Sequence, residues 1–164
     1  MATEIVPLAP SHFEDLRLAL DVVAREKRYL AFQQAPPREE AFAFYRHIVE
    51  NDLCHFVVLV DGKVSGWCDV LPTRGEARAH VGILGIGLIP SARHQGIGEE
   101  LMRIAISDAW ARGMSRIELT VRADNFNAKA LYERMGFKTE GLSKRAFLVD
   151  GVFYDSHSMA LLLR

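Results

Sequence analysis

The sequence predicts an α/β fold, and three stretches predict it. The first runs from Val81 to Gly113 and reads as strand, turn and helix. The second is Asp61-Gly62 between two β-prone runs, Phe56 to Val60 and Lys63 to Leu71, which is a strong hairpin signal. The third is a helical segment opened by Asn125 and closed by Gly136, residues suited to a helix N-cap and to the position just past a helix end. Strands and amphipathic helices thus share one chain, as the α/β class requires.

Each element can be justified in order. Residues 3 to 8 are short and apolar, closed by prolines at 7 and 10, and read as an edge strand. Ser11-His12-Phe13-Glu14 has capping-box spacing. The helix after it carries Leu16, Leu20 and Val23 on one face and runs to about Arg28. Tyr29 to Pro37 is aromatic and then proline-rich, a loop. A second helix takes Glu39 to about Asn51, with Phe42, Tyr45, His47 and Ile48 near one side. These side chains suit either core packing or the wall of an acceptor pocket. Past the first hairpin, Pro72 to Glu76 is a polar loop and Ala79 to Ile89 a strand closed by Pro90. Gly82, Gly85 and Gly87 in that strand mark a bulge or a ligand lying against backbone.

Ile97, Leu101, Ala105 and Ala109 then recur every four residues, with Met102, Ile106 and Trp110 widening the stripe. That is one broad-faced helix laid on a sheet, ended at Gly113. In Ser115 to Arg122, Ile117, Leu119 and Val121 alternate with Glu118, Thr120 and Arg122, the period of a strand. The helix after Asn125 puts Ala128, Leu131, Tyr132 and Met135 on one face. A second hairpin closes the chain: Phe147 to Val149, Asp150-Gly151, Val152 to Leu163. With no internal repeat or low-complexity tract, residues 1–164 are expected to form one domain.

Composition narrows the function. Hydrophobic residues make up 49% and charged residues 25% of 164, as in an ordinary globular protein with a real core. The formal net charge is −1 and no basic block stands out, so a nucleic-acid partner has no electrostatic support. No apolar run approaches the ~20 residues that span a bilayer, and Met1 to Leu8 lacks the build of a signal peptide. A cytoplasmic protein without a membrane partner is expected. Cys54 and Cys68 are too few for a disulfide framework, and the six histidines show no metal-ligand spacing, so no metal is expected.

The chemistry concentrates in Arg93-His94-Gln95-Gly96-Ile97-Gly98. The turn lies between a strand and a helix, so the first helical N–H groups have no partner and point into it. The helix dipole adds partial positive charge, Gly96 and Gly98 let backbone approach closely, and Arg93 supplies a cation. Such a site suits a phosphate or pyrophosphate. It is not a P-loop, because no Lys-Ser or Lys-Thr follows the second glycine, and it lacks the third glycine of the dinucleotide fingerprint.

About thirty residues later stands N-x-x-A-x-x-L-Y-x-x-x-G-F, Asn125 to Phe137. The two motifs together resemble the GNAT superfamily of acyl-CoA N-acyltransferases, well over Val81 to Phe137. The tail Glu140 to Ala160 is similar to a bacterial branch that includes ribosomal-protein and amino-acid N-acetyltransferases. The resemblance implies a mixed, mostly antiparallel sheet of about six or seven strands flanked by four helices. It implies acetyl-CoA as co-substrate, and a primary amine of an amino acid, another small molecule or a protein N-terminus as acceptor. A homodimer is also implied, with Phe147, Phe153 and Tyr154 of the last hairpin as aromatic residues in need of cover.

By the same resemblance, Arg93, His94, Gln95, Gly96, Ile97 and Gly98 would hold the coenzyme A pyrophosphate. The backbone of Ile86, Gly87, Leu88 and Ile89 would pair with the pantetheine arm. Asn125, Ala128 and Lys129 would complete the cofactor site, Asn125 contacting pantetheine or holding its loop. Tyr132 would stand near the sulfur as general acid. The amine must be neutral to attack, so a base or a water relay helps. Many relatives carry an acid in the strand before the turn, but here Gly82-Ile83-Leu84-Gly85 has none. His80, Glu118 or an ordered water are the candidates. Neither cysteine lies in a motif, which favours direct attack over a covalent enzyme intermediate. The rival is a non-catalytic acyl-CoA-binding or regulatory module; the presence of Tyr132 favours the enzyme.

Overall fold

A computed structural model describes residues 2–164. Seven strands form one sheet in the order β1-β2-β3-β4-β5-β7-β6. The strands are β1 (Thr3–Pro7), β2 (Cys54–Val60), β3 (Lys63–Pro72), β4 (Val81–Leu88), β5 (Arg116–Arg122), β6 (Lys138–Val149) and β7 (Val152–Leu162). Four α-helices flank it: α1 (Phe13–Arg25), α2 (Arg38–Glu50), α3 (Ile97–Ala111) and α4 (Phe126–Arg134). Every strand pair is antiparallel except β4–β5.

The side-chain period of the strands divides the core in two. Cys54, Val58, Cys68, Val70, Leu84, Ile117 and Leu119 face α3, whose Leu101, Met102 and Ala105 are fully buried against them. Val57, Val64 and Trp67 face the other way, against Leu16 and Val23 of α1 and Tyr45 and Ile48 of α2. A sheet buried on both faces accounts for the near-continuous apolar runs of β2 and β3.

One feature of the sheet positions the site. β4 and β5 pair in parallel over three positions only, Val81↔Arg116, Gly82↔Ile117 and Ile83↔Glu118. Beyond them β4 stays with β3 through Gly66↔Leu88, while β5 stays with β7 through Arg122↔Ser156. The two central strands therefore part after Ile83, and the open edge of β4 from Leu84 to Leu88 runs for ~16 Å at the usual strand rise.

Some boundaries differ from the sequence reading. The first helix is not capped by Ser11. A 3-10 turn over Pro10–His12 precedes it, and the ring Nδ1 of His12 accepts the Ala9 N–H at 3.0 Å. It stops at Arg25 rather than Arg28, because the next turn closes on Lys27 in the left-handed region, φ 58°. The last hairpin is far longer than expected: β6 starts at Lys138, before the expected Phe147, and a bulge between Ser143 and Phe147 breaks the alternation that would have revealed it. No helix among the described residues is long and apolar enough to cross a membrane.

Candidate active site

The open edge of β4 has a definite hydrogen-bonding sense. Ile89 N–H donates to the Ser65 carbonyl of β3 at 2.9 Å, and Val81 C=O accepts from Thr73, just past the end of β3, at 3.3 Å. Strand alternation then turns Ile86 and Leu88 the other way, toward the space that β5 has left. Arg93 Nε donates to the Leu88 carbonyl at 3.0 Å. What remains for a ligand is the N–H and C=O of Ile86 and the N–H of Leu88. Ile89 and Gly87, expected in the same run, turn their backbone groups toward β3. The glycines also serve differently from expectation. Trp67 of β3 covers Gly87, and Met114 with Val70 covers Gly82, leaving no room for side chains there.

Immediately beyond lies the N-terminus of α3. Gly96 caps it in the left-handed region at φ 80°, His94 precedes it at φ 62°, and no side chain caps the helix. Glu100 N–H, on Gly96 C=O at 3.2 Å, closes the first turn. The N–H groups of Ile97, Gly98 and Glu99 are therefore left pointing outward, as an anion requires. Gly98 is not forced by packing, since an added Cβ would meet Leu88 and Leu131 only at 3.5 and 3.8 Å. Gln95 and Arg93 are engaged elsewhere. Gln95 Nε2 donates to the Ser91 carbonyl at 2.8 Å. The Arg93 guanidinium grips both carboxylate oxygens of Glu26 and stacks over Tyr29 at 4.7 Å. Its pKa is raised, first by the hydrogen bonds it donates to Glu26. Arg93 ties the turn to the end of α1, and its charge is neutralised there. The free donors at this turn are backbone N–H groups.

The far wall of the gap is α4. Asn125 caps it, Oδ1 accepting from Ala128 N–H at 3.3 Å, so this residue holds its own loop. Lys129 pairs with Glu133 at 2.9 Å. Buried Arg122 fixes the approach to the helix: it holds both oxygens of Asp124, donates to the Lys27 carbonyl at 2.9 Å and stacks over Tyr154 at 3.6 Å. Tyr132 is 7% exposed and packs on Phe137 with centroids 6.0 Å apart. Burial, with a smaller contribution from Cys68, pushes its pKa well above the usual phenol value. The phenol keeps its proton at neutral pH, as a proton donor must. Burial likewise pushes Cys54 up to about 12 and Cys68 far upward, so neither is a thiolate nucleophile.

The two side chains expected as bases are not placed alike. His80 precedes β4 at the end where β4 and β5 are still joined; its carbonyl accepts from Ser115 and Arg116 N–H, and its ring is exposed. It stands about six residues, or ~20 Å of strand, from Ile86. Glu118 is at the fork itself, opposite Ile83. Its carboxylate is held by Arg116 at 2.8 Å and Arg78 at 3.0 Å, and the Arg116 hydrogen bond lowers its pKa. A carboxylate so stabilised is a poor proton acceptor.

The Acetyltransferase (GNAT) family profile matches residues 20–137. The chain belongs to that family. As a GNAT member it is an acetyl-CoA-dependent acyltransferase. It is 30% identical over 110 residues to a Bacillus subtilis protein provisionally named a [ribosomal protein bS18]-alanine N-acetyltransferase, covering 66% of this chain and 70% of that one. It is 36% identical over 106 residues to an L-amino acid N-acetyltransferase of Escherichia coli, covering 63% of this chain and 65% of the relative. The acetyltransferase-like structure from Salmonella typhimurium solved with acetyl-CoA superimposes with a TM-score of 0.92 at 14% identity, covering 100% of this chain and 95% of that one. At that identity the likeness is one of fold.

On the opposite face of the GNAT sheet lies a pair that sequence reasoning missed. His55 of β2 and Asp69 of β3 are register partners, and His55 Nδ1 lies 3.0 Å from Asp69 Oδ2. The contact is out of line for a hydrogen bond, so both ring nitrogens of His55, buried at 4% exposure, lack an in-line partner. Asp69 is in turn the register partner of Gly85 on β4. The signal was present as a lone acid inside the apolar run Trp67-Cys68-Asp69-Val70.

Proposed function

We propose that the chain is an N-acetyltransferase that moves the acetyl group of acetyl-CoA to a primary amine by direct attack. One observation carries this reading: the unpaired edge of β4 leads straight to the uncapped N-terminus of α3, with the Tyr132 helix as the far wall. An extended arm ending in a pyrophosphate fits that sequence of donors. Ile86 and Leu88 would align the arm by backbone pairing, and Ile97, Gly98 and Glu99 would receive the phosphates through their N–H groups. The thioester supplies an activated acetyl carbonyl. The strand edge offers N–H donors where negative charge develops on the carbonyl oxygen. Tyr132 gives its phenolic proton to the departing thiolate and regains one from solvent. The high thiol pKa values of Cys54 and Cys68 agree with attack by the amine itself.

An α-amine is the acceptor we place first. The two relatives above are named for the acetylation of an amino acid and of a protein alanine. An α-amine has a pKa of about 7.7–8.0 and is partly neutral at physiological pH. The test has two parts. Acetyl-CoA should raise the melting temperature, by mass action on the native state. Thiol release should then follow on adding one member of a panel of free L-amino acids, polyamines and alanine-terminated peptides. No thermal shift at saturating acetyl-CoA would sink the reading. A shift without thiol release from any amine would leave a binding module.

A further inference from the structure

We propose that Asp69, backed by His55, is the proton acceptor for the attacking amine; this rests on the N-acetyltransfer reading above. The sequence offers no acid on β4 near the gap, and at Gly85 the neighbouring strand brings one close. A Cβ at Gly85 would lie 3.2 Å from Oδ1 of Asp69, so the Asp69 carboxylate covers that position from the neighbouring strand. Gly85 immediately precedes Ile86, whose backbone faces the gap. A carboxylate thus sits beside the place where an acetyl carbonyl would be aligned, delivered by β3.

The surroundings favour this role over that of a surface ion pair. Asp69 has no arginine or lysine partner among the described residues; its one close cationic candidate is the His55 ring. The other titratable neighbours are Tyr45 of α2, raised to about 12 chiefly by burial and in part by Asp69, and the Cys68 thiol, raised chiefly by burial and further by Asp69. A side chain of Asp69 remains 13% accessible, whereas that of His55 is 3% accessible. The acid is open to an acceptor, and the imidazole behind it is not.

The protons balance as follows. An ammonium acceptor gives one proton to Asp69, whose accessible carboxylate passes it to water. The neutral amine forms the C–N bond, the C–S bond breaks, and Tyr132 protonates the sulfur. The second N–H proton leaves to solvent as the amide forms, and the phenol regains one from solvent. The products are amide, thiol and one released proton.

Asp69→Asn keeps shape and removes the charge. With the best α-amine of the panel, its turnover at pH 7 should fall by ~10²–10⁴-fold, while the thermal shift by acetyl-CoA is unchanged. The deficit should narrow as pH rises toward the pKa of the amine, because the amine then loses its proton without help. Turnover within threefold of the parent at pH 7, or a deficit constant with pH, overturns the proposal. Should Asp69→Asn fail to fold, Asp69→Ser with added formate asks the same question: restored turnover supports a required carboxylate, and none at any formate concentration overturns it. A parent enzyme that releases no thiol from any amine would instead overturn the function itself.

Discussion

The two faces of the sheet build their halves of the site by different means. On the α3–α4 face the donors are backbone groups, the N–H of Ile86 and Leu88 and the first turn of α3, and they lie within thirteen residues of one another in the chain. On the α1–α2 face the proposed proton acceptor is a side chain, Asp69, brought beside His55 by the pairing of β3 with β2. A backbone site needs glycines and a helix start at fixed spacing, so it leaves a motif. A side-chain site assembled by strand register leaves none.

The comparison can be broken most severely at Gly98. If phosphates rest on the first turn of α3, Gly98→Glu places bulk and like charge against them. Like charges juxtaposed cost several kcal/mol, enough to lower coenzyme A affinity by two or more orders of magnitude. The acetyl-CoA thermal shift should vanish. Gly98→Ala is the control for folding, because its Cβ would make only ordinary contact with Leu88 and Leu131; its own melting temperature should equal the parent's or slightly exceed it. A full thermal shift in Gly98→Glu would mean that the backbone donors of α3 are not the anion site.

Tyr132 sharpens the contrast, as the one side chain on the backbone-built face that is assigned chemistry. Tyr132→Phe keeps the ring on Phe137 and removes the proton. Affinity for coenzyme A and stability should change little, and turnover should fall by ~10²–10⁴-fold. A loss confined to KM would mean that the hydroxyl serves binding only.

The same contrast explains what the sequence disclosed. The strand–turn–helix at Val81 to Gly113, the Asn125 cap and the Asp-Gly hairpins are local, and each appeared where local rules put it. The pairing of Arg93 with Glu26 was not legible locally, because the two are sixty-seven residues apart. The His55–Asp69 pair was hidden by one residue of register. Counting back from the Asp61-Gly62 turn, Val60↔Lys63 and Leu59↔Val64 would continue to His55↔Cys68. A bulge between Val58 and Leu59 shifts the ladder by one, giving Val58↔Gly66 and His55↔Asp69. One such slip exchanges every side chain between faces, so no reading of hairpin periodicity could have paired these two.

The smallest effect is expected at Glu118, which is nearest the fork among the acids of β5 yet is held by Arg116 and Arg78. If that carboxylate only braces the fork, Glu118→Gln should leave turnover within about twofold of the parent, in contrast to Asp69→Asn. Its effect should appear in stability, and weakly, because the pair is partly solvated: ~0.5–1 kcal/mol at pH 7. The sign with pH follows from the lowered pKa. A carboxylate depressed in the folded state stabilises fully above its unfolded pKa of about 4.3, and that contribution is lost as pH falls through the lower folded value. Urea midpoints of parent and variant should therefore differ at pH 7 and converge as pH falls below the lowered folded pKa, where Glu118 is protonated and as neutral as glutamine. A midpoint difference that persists in acid would mean that the carboxylate does more than pair with its arginines. A tenfold or greater loss of turnover at pH 7 would return Glu118 to the list of proton acceptors and weaken the case that the α1–α2 face supplies the base through Asp69.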